Sequence, residues 1–102
     1  MVANARLPMS ETALADFCRT FGVAEVSLFG SILRDDFRPD SDVDVMLAFQ
    51  PGYGFTFENM PQIEDALQAI FGRPVDVIEK NRIRNPLRRQ SIMSSYQVLY
   101  AA

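Results

Sequence analysis

Three aspartates in two apolar segments are the residues of this sequence best suited to chemistry. Asp42 and Asp44 lie two positions apart at the start of one apolar run, and Asp76 lies within another. Residues two apart on a β-strand point to the same face of a sheet. Carboxylates grouped in this way can hold one or two Mg²⁺ ions, and two such ions stabilise the attacking and leaving oxygens of a phosphoryl displacement. The pattern predicts a metal site formed by Asp42, Asp44 and Asp76.

A Gly-Ser pair precedes these carboxylates. Gly30 and Ser31 follow an apolar segment, and ten residues separate them from Asp42. Glycine lets the backbone approach a ligand closely, the N–H groups that open a helical turn can bind an anion, and a serine hydroxyl can donate to a phosphate oxygen. Arg34, one turn further on, could reach the same phosphates or could pair with the aspartates that follow it. The segment predicts a nucleotide-phosphate site at Gly30, Ser31 and Arg34.

Each feature also has an ordinary structural interpretation. A Gly-Ser pair after a strand is most often a simple turn. The spacing of Asp40, Asp42 and Asp44 is that of a calcium-binding loop. However, Val45 stands where such a loop needs glycine, and Pro51 stands where it needs glutamate. A calcium loop is therefore not expected, and it is the combination of features that favours a nucleotide site.

Asp76 is the carboxylate that is hardest to explain as an ordinary surface residue. It lies between Val75 and Val77 in an apolar segment, where we expect it to be buried. A buried carboxylate is costly unless it is paired, hydrogen-bonded or bound to a metal. Its position therefore favours a role as a ligand.

The composition restricts both the chemistry and the size of the fold. The chain has 102 residues, of which 48 % are apolar and 23 % charged, and it contains no histidine. A Ser-His-Asp triad and a His-Cys zinc site are therefore excluded. The length predicts one domain, residues 1–102. The sequence has no apolar run of the roughly 20 residues that cross a bilayer, no apolar signal-peptide core and no partner for Cys18, so we expect a cytoplasmic protein without a membrane partner.

The two signs of charge are separated along the chain, although the net charge is only −3. All 13 acidic residues lie at or before Glu79. Five of the ten basic residues follow it: Lys80, Arg82, Arg84, Arg88 and Arg89. This basic cluster can contact phosphates, an acidic partner or only water. The overall acidity argues against binding of duplex DNA.

Hydrophobic periodicity and turn residues predict seven elements in the order αβαβαβα. The first helix is expected between Ser10, a candidate N-cap, and Gly22. The last helix is expected from about Pro86 to Leu99, with Ile92, Tyr96, Leu99 and Tyr100 facing inward. Strands are predicted at 23–29, 42–49 and 74–79, a short helical turn at 31–35, and a helix at 60–71. Three short strands with helices packed on them predict an α+β, two-layer domain.

These residues resemble the signature of a known superfamily. Gly30-Ser31, the ten-residue gap and Asp42-x-Asp44 are similar to the nucleotidyltransferase superfamily that includes the DNA polymerase β palm. The chain most resembles its small prokaryotic branch, the minimal nucleotidyltransferases (MNT). The resemblance extends over Arg34, the lead-in 39–42, the segment 67–77 and the ending 96–100, and so covers the chain from about Val23 onward.

The resemblance implies a fold, an activity and a partner. The fold would be a small mixed sheet with helices on it. The activity would be Mg²⁺-dependent transfer of a nucleoside monophosphate, in particular AMP from ATP, to an acceptor hydroxyl with loss of pyrophosphate. The partner would be a HEPN-family RNase toxin, with this chain as its antitoxin. Asp42, Asp44 and Asp76 would be metal ligands, Asp76 also the base for the hydroxyl, and Gly30 and Ser31 would hold the triphosphate.

One departure from the family pattern keeps a second hypothesis open. Members usually carry glycine after the arginine, whereas this chain carries Asp35. An extra carboxylate there could repel the nucleotide or could pair with Arg34 or Arg38. A non-catalytic module that binds nucleotide or neutralises its partner by contact alone is therefore the alternative. A fragment of an aminoglycoside-modifying transferase is a weaker one, because the chain is too short for an acceptor pocket.

The small size also bears on how an acceptor would bind. Without a second domain, the acceptor must dock on the surface of this one, and a protein is the simplest acceptor. The aromatic loop with Tyr53, Phe55 and Phe57, the last helix and the basic cluster are candidate docking surfaces. Local core packing is the alternative explanation for the aromatic residues, which bury large areas.

Overall fold

The computed structural model describes residues 9–33 and 41–101. Within these ranges the chain forms three α-helices and a four-stranded sheet. The helices are α1 (Glu11–Phe21), α2 (Met60–Phe71) and α3 (Pro86–Met93), and the strands are β1 (Val23–Phe29), β2 (Val43–Phe49), β3 (Val75–Glu79) and β4 (Gln97–Ala101). A 3₁₀ turn (Gly30–Leu33) follows β1 and a second (Lys80–Arg82) follows β3. The expected α+β class is confirmed.

Local capping signals account for the two long helices. The Ser10 hydroxyl accepts a hydrogen bond from the Ala13 N–H at 3.2 Å, as its role as N-cap predicts. Gly22 ends α1 and Gly72 ends α2, each in the left-handed conformation and each donating its N–H to a carbonyl of the last turn. Within the described ranges, no helix is both long and apolar enough to span a lipid bilayer.

The sheet is mixed, with the strand order β3-β2-β1-β4. β1 runs antiparallel to both of its neighbours, and β2 runs parallel to β3. The carboxyl end of β1 therefore lies at the same end of the sheet as the amino ends of β2 and β3. The register pairs Phe29 with Asp44 and Asp44 with Asp76. This topology brings the Gly-Ser turn and the candidate carboxylates to one corner of the sheet.

Among the described residues, two apolar clusters pack against the sheet, one on each face. The larger packs α1 and α2 against the face that carries Val26, Leu28, Val43, Val45, Leu47 and Leu99. The smaller lies on the other face, where Ile92 of α3 packs with Phe29 and Met46. The central strand β2 contributes Val45 to the first cluster and Met46 to the second. This confirms the expectation that β2 is buried on both faces.

The predicted helix from Pro86 to Leu99 was wrong in its second half. α3 ends at Met93, and residues 97–101 form β4, which pairs with β1. The prediction used the spacing of Ile92, Tyr96 and Leu99. This spacing is compatible with one continuous helix and also with a helix that is followed by a strand. Pairing with β1 decides between them, because β4 completes the sheet and buries Leu99. The order αβαβαβα is accordingly extended by a fourth strand.

Shortening Leu99 is expected to lower the free energy of unfolding by about 2–5 kcal/mol, because Leu99 is 0 % exposed and its deletion leaves a cavity under β4. Urea denaturation of Leu99→Ala, followed by circular dichroism, measures this loss. Leu87→Ala is the matched control, since Leu87 is 78 % exposed on α3 and its loss should cost no more than about 0.5 kcal/mol. Equal stability of the two variants would contradict the placement of β4.

Candidate active site

Gly30 forms a sharp turn at the carboxyl end of β1. Its φ of +76° lies in the left-handed region, which glycine adopts without steric cost. The chain continues directly into the 3₁₀ turn, where Ile32 is buried and anchors the segment to the larger core. Ser31 is half-buried at the start of that turn. The Gly-Ser pair thus lies between strand and helical turn, as the sequence predicted.

The Asp44 carboxylate fills the space that a side chain at position 30 would need. A Cβ atom added to Gly30 would overlap Oδ2 of Asp44 and would stand 3.1 Å from its Cγ. This close approach follows from the register of the two strands, since Phe29, the residue before Gly30, pairs with Asp44. The turn and a half-buried carboxylate are therefore in direct contact.

Asp42 lies two residues before Asp44, and Asp76 lies beside Asp44 on the neighbouring strand. Both are more exposed than Asp44. Asp76 is the register partner of Asp44 on β3, so both side chains lie on the same face of the sheet. Asp42 immediately precedes β2 and is exposed. The expectation that Asp76 is buried was wrong. It is exposed because β3 is an edge strand and Asp76 lies on the face opposite to the one that α1 and α2 cover.

The carboxylates of this corner suit an ion that is shared with a substrate. Within residues 9–33 and 41–101, no three acidic or cysteine side chains lie close enough to hold a metal ion by themselves, so the predicted set of Asp42, Asp44 and Asp76 is not brought together as a complete metal site. Mg²⁺ usually keeps several waters and binds through one or two carboxylates together with substrate phosphates. Asp44 provides a carboxylate beside a glycine turn that can approach phosphate closely. These residues therefore fit Mg²⁺ bound with a nucleotide.

The basic residues considered as phosphate ligands have different positions. Arg34, and Asp35 beside it, lie outside the described residues. Lys80 is held on the protein, because its Nζ donates to Oε1 of Glu25 at 3.2 Å and to the hydroxyl of Tyr96 at 3.4 Å. Burial lowers the pKa of Lys80, but these two hydrogen bonds and their charges outweigh it and raise that pKa above its ordinary value. Lys80 is thus a structural cation.

The Glu25–Lys80 pair is a polar contact between distant segments that the sequence did not predict. Lys80 follows β3, Glu25 lies on β1, and 55 positions separate them. The Ser27 hydroxyl donates to the same Glu25 oxygen at 3.3 Å, and Nζ of Lys80 lies 4.9 Å from the centre of the Tyr96 ring. A glutamate within the apolar strand 23–29 was the one available signal, since a charge there needs a partner.

Comparison with known proteins identifies the family. The model of the nucleotidyltransferase domain family matches residues 11–99. The protein adenylyltransferase MntA of Thermococcus cleftensis is 31 % identical over 75 residues, which cover 68 % of each chain. A solved structure assigned to the minimal nucleotidyltransferases is 29 % identical, with a TM-score of 0.65, over 88 % of this chain and 86 % of that one.

The same fold occurs in a toxin–antitoxin complex. A structure of the tri-AMPylated Shewanella oneidensis HEPN toxin in complex with an MNT antitoxin has a chain that matches with a TM-score of 0.60. The match covers 90 % of this chain and 70 % of that chain at 16 % identity, a level that shows the fold alone. The family match, the sequence relative and the position of Asp44 beside the Gly30 turn all indicate the same family. The chain belongs to the nucleotidyltransferase domain family and, within it, to the minimal nucleotidyltransferases.

Proposed function

We propose that this nucleotidyltransferase transfers AMP from ATP, with Mg²⁺, to a hydroxyl of a HEPN-family protein and thereby acts as its antitoxin. The observation that carries the proposal is the contact between the Gly30 turn and the Asp44 carboxylate, with Asp76 in register on the next strand. A phosphate-binding turn next to carboxylates is what a transfer from a triphosphate requires.

In the proposed reaction the acceptor oxygen forms a bond to the α-phosphorus, and the bond from that phosphorus to the pyrophosphate oxygen breaks. Gly30 and Ser31 bind the triphosphate, through the backbone and the hydroxyl respectively. Asp42 and Asp44 would hold Mg²⁺, which when bound would neutralise charge on the triphosphate and on the leaving pyrophosphate. The exposed Asp76 carboxylate takes the proton of the acceptor hydroxyl. Arg34 is a further phosphate ligand in this proposal.

The choice of AMP and of a protein acceptor is supported by the relatives. The Thermococcus cleftensis relative is named a protein adenylyltransferase, and the Shewanella oneidensis structure contains a tri-AMPylated HEPN toxin with an MNT antitoxin. The described residues form a sheet with three helices around it, and an acceptor that reaches the site over this surface has to be able to dock on it. A protein hydroxyl meets that condition.

The proposal is tested by label transfer to the protein that the neighbouring gene encodes, which the proposal expects to be of the HEPN family. We expect ATP labelled at the α-phosphate to label that protein, and ATP labelled at the γ-phosphate to leave it unlabelled, because AMP is retained and pyrophosphate lost. Chelation of Mg²⁺ with EDTA should abolish the label, and re-addition of Mg²⁺ should restore it. Absence of label with all four nucleoside triphosphates, although the two proteins co-purify, would favour the non-catalytic alternative.

A further inference from the structure

Two adjoining cavities form a groove beside the edge strand β3. Their volumes are about 300 and 230 Å³, and both are lined by Phe55, Met60 and Arg82. We propose that this groove docks an acidic segment of the acceptor protein, with an apolar side chain of that segment as its anchor. This inference rests on the proposed transfer to a protein, and it adds where that protein binds.

The floor and one wall of the groove are apolar and preformed. Phe55 packs edge-on against Phe49 of β2, with ring centroids 5.2 Å apart and planes at 75°, so its ring is fixed in place. Met60 is 39 % exposed, and the Phe57 side chain is fully exposed to solvent. Large apolar side chains grouped and exposed in this way mark a surface that binds another molecule. The groove can therefore bury an apolar anchor without rearranging its wall.

The rim of the groove is positively charged. Arg84 and Arg88 line the larger cavity, and among residues 9–33 and 41–101 neither guanidinium has an ion-pair partner. Arg82, by contrast, is held by Glu79 through a contact of 2.7 Å between Nε and Oε2. Two uncompensated guanidinium groups beside an apolar floor are complementary to carboxylates that flank an apolar anchor.

The lining favours a protein segment over RNA. In the larger cavity Phe55 is the aromatic ring among the aliphatic side chains of Met60, Val77 and Ile83, and Phe57 adds a ring in the smaller cavity. Recognition of single-stranded RNA relies on successive aromatic rings on which bases stack, and the larger cavity does not offer such a series. The net charge of −3 also opposes a long polyanion more than it opposes a short acidic segment. The groove thus fits a peptide chain that carries a few carboxylates.

The groove lies close enough to the candidate active site for a segment bound in it to reach that site. Ile78 lines the larger cavity and lies two residues after Asp76 on β3, on the same face of the strand. At a rise of about 3.3 Å per residue, the two positions are separated by roughly 7 Å along the strand. A segment anchored in the groove can therefore extend to the carboxylate corner and present its hydroxyl there.

Binding measurements on matched variants test the groove. The Kd of the proposed HEPN-family acceptor would be measured by titration calorimetry for the wild type and for each variant. We expect Phe57→Ala to raise this Kd about tenfold, because the exposed ring is an anchor contact, and Leu87→Ala to change it less than about twofold. Leu87 is the matched control, since it is exposed on α3 and lines neither cavity.

Two charge-reversal variants, one on the rim and one away from it, test the role of the positively charged rim. Arg88→Glu should raise the Kd about tenfold at low salt and by a smaller factor in 0.5 M NaCl, because screening removes the attraction. Glutamate at this position, in the first turn of α3, also favours the helix, so the variant should fold. Arg19→Glu makes the same charge change on the exposed end of α1 and should leave the Kd within about twofold.

The outcomes separate the groove from the transfer. Weaker binding of the groove variants supports the groove even if no AMP label reaches the partner, in which case only the proposed function fails. Wild-type binding and wild-type labelling in Phe57→Ala and Arg88→Glu would overturn the groove and leave the function intact. The groove is equally overturned if the HEPN-family protein does not bind the wild type. Displacement of that protein by a fluorescein-labelled 20-nucleotide poly(U) probe, lost in Arg88→Glu, would overturn the choice of a protein segment.

Discussion

Asp44→Asn is expected to lower the rate of AMP transfer by about a thousandfold, while the protein remains folded. Asparagine keeps the shape of the side chain that lies against Gly30 but removes its negative charge. In the proposed reaction the Mg²⁺-bound triphosphate would then lose a carboxylate ligand, and several kcal/mol of charge stabilisation in the transition state would be lost with it. The effect should be among the largest of any single substitution, because Asp44 contacts the turn and is in register with Asp76.

Initial rates of label transfer from α-labelled ATP measure this effect, with thermal unfolding as the check on folding. Asp65→Asn is the matched control: Asp65 is exposed on α2, and the same loss of charge there should leave the rate unchanged. Asp42→Asn and Asp76→Asn test the other two assigned roles. Transfer within tenfold of the wild-type rate in folded Asp44→Asn would contradict the assignment.

Gly30→Ala is expected to lower the rate by about a hundredfold, through displacement of the Asp44 carboxylate. The added methyl group would overlap Oδ2 of Asp44, so either the carboxylate or the turn has to move. A displacement of about 1 Å in a reacting site is enough to cost two orders of magnitude in rate. The positive φ of Gly30 adds a backbone strain of about 1 kcal/mol to this steric effect.

Gly72→Ala separates the steric effect from the strain. Gly72 has nearly the same φ, +70°, but a Cβ atom there would meet nothing within 4 Å. This variant should lose about 1 kcal/mol of stability and keep its full transfer rate. Rates of both alanine variants and their midpoints of urea unfolding provide the comparison. Equal rates in the two variants would show that the Gly30–Asp44 contact is unimportant for transfer.

The elements that the sequence predicted well are those whose ends carry local signals. α2 has the predicted bounds, Met60 to Phe71, because an amphipathic stripe ends at a left-handed Gly72. α1 is framed in the same way by Ser10 and Gly22. β4 was missed because its apolar residues continue the helical spacing of α3, and its conformation is decided by pairing with β1, a contact distant in sequence.

The candidate site also has features that local sequence predicts and features that depend on contacts distant in sequence. The residue types and the spacing between Ser31 and Asp42 were enough to predict that carboxylates lie near the Gly30–Ser31 turn. The contact of Gly30 with Asp44 depends on the register of β1 against β2. The exposure of Asp76 depends on the position of β3 at the edge of the sheet. Both are properties of the assembled sheet, which the sequence pattern of a single segment does not contain.

The order of strands in the sheet also has a consequence for the kinetics of folding. β1 pairs with β2 across fewer than 20 residues between Leu28 and Val45, but with β4 across more than 70 between Val26 and Tyr100. Closing the longer loop costs about 1 kcal/mol more chain entropy. The β1–β2 pairing that sets Gly30 against Asp44 can therefore form early, while β4 docks late. The corner formed by Gly30 and Asp44 would then be shaped before β4 covers the edge of β1, which until then is open to other strands.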